Sequence, residues 1–135
     1  MRRISTNSEF EKAVGYSRAV VDDDYVHVSG TTGFDYETMT ISEDVVEQAH
    51  QAFGNIARTL AAARVSFADL VRVTYYIADA DDYEALMPVF KQYLGPNSPA
   101  ATALIAHLVD PRMKIEIEAT ARRPSPNRGM PQGEE

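Results

Sequence analysis

Two carboxylates, Glu116 and Glu118, alternate with Ile115 and Ile117 in the stretch RMKIEIEATARR, residues 112–123. Alternation of this kind marks a strand, and side chains two apart on a strand share a face. The isoleucines enter a core while both glutamates look the other way. A carboxylate in a partly desolvated cleft can hold a water and move protons near neutral pH. On an open face it is merely solvated or paired with Arg or Lys, and spacing alone favours that plainer role. Ser29 and Gly30, in VHVSG, offer a second polar point at a strand end, where a serine either lines a cleft or bonds the backbone of the turn. Little else suggests chemistry. The three histidines, His27, His50 and His107, lack metal-ligand spacing. The absence of cysteine excludes a thiolate zinc site, a disulfide framework and a cysteine nucleophile. No serine sits in a Gly-x-Ser-x-Gly elbow, and Gly30 and Gly33 lack the Lys-Ser or Lys-Thr of a phosphate loop.

The chain of 135 residues carries a formal charge of −7, from 20 acidic and 13 basic residues. Binding to nucleic acid calls for a basic stripe that displaces counterions from phosphates. Here the basic residues are scattered, pairing in sequence only at Arg2-Arg3 and Arg122-Arg123, so no nucleic-acid partner is expected. MRRISTNSEFEK lacks the apolar segment of a signal peptide, and no apolar run approaches the length of a membrane span. The expectation is a cytoplasmic protein with no membrane partner.

The elements that must position these residues follow from periodicity. RAVVDDDYVHVSG reads as a hairpin turning at residues 22–24, with Val26 and Val28 alternating against Tyr25, His27 and Ser29. Residues 30–41 read as a loop or ragged hairpin. Asp44 with Glu47 starts the clearest helix, on which Val45, Ala49, Phe53, Ile56 and Leu60 recur at helical spacing. Ser66 caps a short turn through FADL. VRVTYYIAD then reads as a strand with Val71, Val73, Tyr75 and Ile77 on one face. A second helix is expected over about 82–94, burying Leu86, Val89, Phe90 and Tyr93; Pro88 lies inside it and Gly95-Pro96 stops it. TALIAHLV and KIEIEATAR read as two strands joined across Asp-Pro-Arg. One domain over residues 1–123 is expected, followed by a disordered tail over 124–135, rich in Pro and Gly. Two helices would cover one face of the sheet. His27, Ser29, Glu116, Glu118 and Thr120 would lie on the other, open to solvent or to copies of the same chain.

These residues, with VHVSGTTG and DLVRVTYYIADADDYEALMPVF, resemble the Rid family, the YjgF-type reactive intermediate deaminases of imines and enamines. The likeness spans roughly residues 16–123 and is strongest at KIEIEATARR with SPA upstream. It implies an α+β, chorismate-mutase-like mixed sheet with two helices on one face, closing as a homotrimeric barrel with small-molecule clefts between subunits. Relatives of this kind hydrolyse 2-imino and 2-enamino acids to 2-keto acids and ammonia, without a metal or organic cofactor. An imine carbon is already electrophilic, so the protein need only fix the substrate, supply water and manage protons.

By the resemblance, Glu116 falls where the deaminases hold the attacking water, with Glu118 structural. Tyr16 matches a tyrosine after a glycine, without the usual intervening proline, and Ser29-Gly30 match the end of the second strand. Active deaminases place an arginine after the Pro-Ala pair to grip the substrate carboxylate. Ala101 stands there, and Met87 stands where many carry asparagine. Arg112 or Arg18 is a candidate substitute. The expectation is therefore a small-molecule hydrolase acting on a substrate other than the usual 2-imino acids, or else a non-catalytic binding trimer of the same fold.

Overall fold

The computed structural model describes residues 1–124. Its elements begin with β1 (Arg2–Ile4), α1 (Glu9–Val14), β2 (Ala19–Val21), β3 (Tyr25–Thr32), β4 (Phe34–Asp35) and β5 (Thr40–Ile41). There follow α2 (Val45–Ala62), β6 (Leu70–Ile77), α3 (Tyr83–Leu94), β7 (Ala100–Ile105) and β8 (Ile115–Arg122). Six strands form one sheet in the order β1-β2-β3-β8-β6-β7, and β4 and β5 make a separate small hairpin. Every pairing in the large sheet is antiparallel except β6 with β7.

The alternation in β8 is borne out: Ile115, Ile117, Ala119 and Ala121 are buried, with Glu116, Glu118 and Thr120 on the half-buried opposite face. Val26 and Val28 of β3 join the same core. The expected turn closes the β2–β3 hairpin, where Asp22 Oδ1 accepts from the backbone of Asp24 and Tyr25 at 2.8 and 2.6 Å. Helix α2 lays Val45, Ala49, Phe53, Ile56 and Leu60 on the sheet, and Asp44 caps it by accepting from Glu47 N at 2.9 Å. Ser66 caps a single turn at Phe67–Asp69, as expected. Helix α3 contains Pro88 and stacks Phe90 on Tyr75, with ring centroids 3.7 Å apart.

Four expectations need correction. The first concerns helix number: with α1 there are three α-helices among the described residues, not two. Ser8 accepts from Glu11 N, and Gly15 ends the helix at φ 90°, a left-handed conformation that favours glycine. The second is the face of β6. A bulge between Leu70 and Arg72 buries Leu70 and turns Val71 outward, to 41% exposure.

Third, β7 and β8 do not form a hairpin. β7 crosses over through α3 to lie parallel to β6 at the sheet edge, as a parallel pair requires. β8 enters the middle of the sheet, and the Asp-Pro-Arg turn sits inside the connection 106–114. Fourth, His107 therefore lies in that connection rather than in a strand. His27 meets Asp22 at 2.8 Å, and no cluster of metal-ligating side chains occurs among the described residues. Among the described residues, no helix is long and apolar enough to cross a membrane. Residues 125–135, most of the expected tail, lie outside the described residues.

Candidate functional site

The site begins with an irregularity in the β3–β8 ladder. Val28 faces Ala119, but the next pairs are Thr31 with Ile117 and Thr32 with Glu116. One extra residue on β3 forms a bulge at Ser29 and Gly30, which re-aims the backbone toward β8. Gly30 then lies so close to Glu116 that an added Cβ would fall 2.4 Å from Oε2 and 2.9 Å from Cδ. Only glycine leaves that carboxylate its place. Ser29 is tied to the neighbouring segment, its hydroxyl donating to Ser17 O at 2.7 Å and its N–H to Arg18 O at 3.0 Å.

Over this floor opens a cavity of about 380 Å³. Tyr16, Ser29, Gly30, Thr32 and Glu116 line it, with Phe10 and Val14 from α1, Tyr36 from the β4–β5 hairpin, and Val109 and Met113 from the 106–114 connection. The walls are aromatic and apolar, and Glu116 is the one charged side chain among them. Burial pushes its pKa above the ordinary carboxylate value; the Arg18 cation pulls the other way, and the Glu118 charge adds to the rise. Burial likewise raises the Tyr16 phenol. No side chain among the described residues donates a hydrogen bond to Glu116, so its oxygens are left for a water or a ligand.

Glu118 stands apart. The Tyr76 hydroxyl donates to Glu118 Oε1 across the strands, and that bond raises the Tyr76 pKa. The two glutamates of one strand face thus have different surroundings.

Of the residues named from sequence, Tyr16, Ser29, Gly30 and Glu116 come together in this cavity. Met87 and Ala101 do not. They line a different cavity of about 360 Å³ beside α3 and β7, with Tyr75, Tyr83, Phe90 and Lys91. Arg112 lines neither. Its guanidinium grips Asp110 through Nε and Nη2 at 3.1 and 2.8 Å and stands 5.0 Å from the Phe34 ring centroid. Arg18 is buried next to the site, donating from Nη2 to Gly30 O at 2.5 Å.

Besides Thr32, the last residue of β3, sequence reasoning missed Phe10, Val14, Tyr36, Val109 and Met113. For the first two a signal existed: Ser8 with Glu11 three residues on is a capping-box pattern, and Gly15 is a helix stop. The other three sit in irregular segments without period.

The fold and this cavity define the class. The family described as Endoribonuclease L-PSP matches residues 6–123, and the chain belongs to it, the YjgF or Rid-type family. Among its relatives, the human 2-iminobutanoate/2-iminopropanoate deaminase is 34% identical over 123 residues, spanning 90% of each chain. The goat protein of the same description is 36% identical over the same length. A solved family member from Mycobacterium tuberculosis has a TM-score of 0.82 at 34% identity, covering 90% of this chain and 98% of that one. Escherichia coli TdcF, solved with bound serine, has a TM-score of 0.75 at 28% identity, covering 81% and 88%.

Proposed function

We propose that the protein is a single-domain hydrolase of imines or enamines that lack a carboxylate beside the reacting carbon. The observation that carries this reading is the cavity wall: one carboxyl with a raised pKa, set among Tyr16, Tyr36, Phe10 and Met113, with no cation among the lining residues and the nearby Arg18 turned to Gly30 O. An apolar imine fits such a wall, whereas a 2-imino acid would bring a second negative charge against Glu116. Relatives described as deaminases of 2-imino acids support the reaction type.

In the proposed reaction, Glu116 accepts a proton from water as the water oxygen bonds to the imine carbon. It passes that proton to the nitrogen to give a carbinolamine, then relays the hydroxyl proton to the nitrogen as the C–N bond breaks, so that the carbonyl compound and ammonia leave and Glu116 is again ionised. Tyr16 closes the cavity and Ser29-Gly30 hold its backbone edge. No metal or organic cofactor takes part. A charge of −7 and the cavity's lack of cations weigh against a nucleic-acid substrate.

The working unit is proposed to be a homotrimer in the cytoplasm, its sheets forming a central barrel. All six residues of β7 are exposed, including Leu104 and Ile105, and Met87 is 44% exposed nearby. A neighbouring copy would cover this apolar edge and bring its Met87–Ala101 region toward a Glu116 cavity.

The test generates imines in place, from amino acids with an amino-acid oxidase and from simple amines with an amine oxidase, and follows ammonia release. Acceleration is expected for the amine-derived imines and little for the 2-imino acids. A Glu116→Gln variant should lose it. Silence on both panels, together with saturable ligand-induced stabilisation, would leave a binding protein in place of an enzyme.

A further inference from the structure

Arg18 heads the fully buried side chains by size, at 1% exposure. Its Nη2 donates to Gly30 O, but Nε and Nη1 are sealed from solvent without any hydrogen-bond partner. A buried guanidinium normally spends its donors on carboxylates or carbonyls, and orphaned ones often mark a missing ion or ligand. The rings of Tyr16 and Tyr36 stand 5.5 and 5.0 Å from Cζ, which offsets part of the charge. Glu116 and Tyr16 feel the same cation, and the Tyr16 hydroxyl also has a hydrogen-bonding interaction with its side chain, yet Nε and Nη1 have no acceptor. No ion pair among the described residues includes Arg18.

Arg18 also forms part of the wall of a cavity of about 680 Å³, larger than the one over Glu116. Across it, Gln51 and Arg58 both donate to Asn55 Oδ1, while Asn55 Nδ2 is spent on Thr32 O and Phe34 O. Asn55 thus holds the exposed Arg58 guanidinium at this cavity. Asp35 and Glu37 line it too; Asp35 Oδ1 accepts from the backbone of Glu37 and Thr38, and neither carboxylate forms an ion pair among the described residues. Two guanidinium groups therefore line one cavity together with two carboxylates, and no carboxylate is bound to either guanidinium.

We propose that this cavity is an oxyanion site, separate from the Glu116 cavity, taking a small carboxylate or a phosphate group. Buried Arg18 supplies the orphaned donors and exposed Arg58 a second cation. Tyr36, which lines both cavities and stands over the Arg18 guanidinium, is the ring that must swing aside for the anion to reach Nε and Nη1.

The experiment titrates the whole protein with inorganic phosphate, and separately with acetate, against chloride at matched ionic strength. It reads the melting temperature and the Arg18 Nε–H resonance by nitrogen-15 NMR. A saturable rise in melting temperature is expected with at least one of the two, accompanied by a shift of that resonance. A stronger effect of phosphate assigns a phosphate-bearing ligand, and a stronger effect of acetate a carboxylate. Arg58→Gln should weaken the apparent affinity about tenfold, the scale of one lost charge-assisted pair. Arg18→Lys should weaken it further; if that variant fails to fold, Arg58→Gln and the wild-type resonance decide. No response beyond chloride, or a response unchanged in Arg58→Gln, would overturn the assignment. So would one abolished by Glu116→Gln, which would move the anion to the other cavity.

Discussion

Glu116 and Glu118 are two residues apart on one strand face, and their neighbours separate them. Glu118 accepts from Tyr76, whereas Glu116 sits in a cavity that disfavours its charge. That disfavour has a sign in stability. A carboxyl whose folded pKa is raised destabilises the fold once it is ionised, so its contribution worsens as pH rises from the ordinary value of 4.5 through the raised one. Glu116→Gln should therefore melt at a higher temperature than the wild type at pH 7, with the gap closing below pH 4.5, as a melting series across pH will read. The two close-packed glycines of this region give a paired prediction. At Gly33 an added Cβ would meet Gln48 Cα at 2.5 Å, which is backbone, so Gly33→Ala should cost roughly 1–3 kcal/mol or more in urea unfolding. At Gly30 the clash is with the end of a movable side chain. Gly30→Ala should fold nearly as well as wild type and lose at least tenfold in kcat for the proposed imine hydrolysis, by displacing the Glu116 carboxylate.

At the scale of elements, the site depends on how the 106–114 connection is docked. Gln48, fully buried on α2, donates to Ser42 O at 2.7 Å and Arg112 O at 2.9 Å and accepts from Lys114 N at 2.9 Å. One amide thus ties the start of the helix to the segment that carries Met113 and leads into β8. Gln48→Ala orphans those backbone groups and should destabilise by about 1–3 kcal/mol, with hydrogen exchange accelerating at Lys114 before the sheet centre. The elements also show what a sequence can carry. β8 and α2 were legible because a period of two and a helical period were sustained over many turns or pleats. The face of β6 was half legible: Val73, Tyr75 and Ile77 are buried as read, but the bulge at its start reverses Val71. Such a bulge is decided by the partner strand and leaves no trace in a local pattern. The partner of β7 was illegible for the same reason, since AATALI satisfies a hairpin and a parallel edge equally well.

For the molecule as a whole, the candidate site mixes the two kinds of information. Tyr16, Ser29, Gly30 and Glu116 were named from residues and resemblance, and the sheet brings them to one cavity. Met87 and Ala101 are placed elsewhere in the single chain, which makes self-association the matter on which their proposed role turns. If β7 is covered by another copy, Ile105→Lys on this edge should shift the protein from trimer to monomer in light scattering. It should also reduce any imine hydrolysis while leaving the monomer folded. The strand order has one more consequence. β8 alone pairs with both β3 and β6, so residues before 115 contain two half-sheets linked by the packing of α2 on β3 and α3 but by no strand pairing. On the ribosome, those halves must wait with bare edges until residues 115–122 leave the exit tunnel. The strand that carries Glu116 is thus also the keystone of folding, and the cavity first exists at the moment the sheet closes.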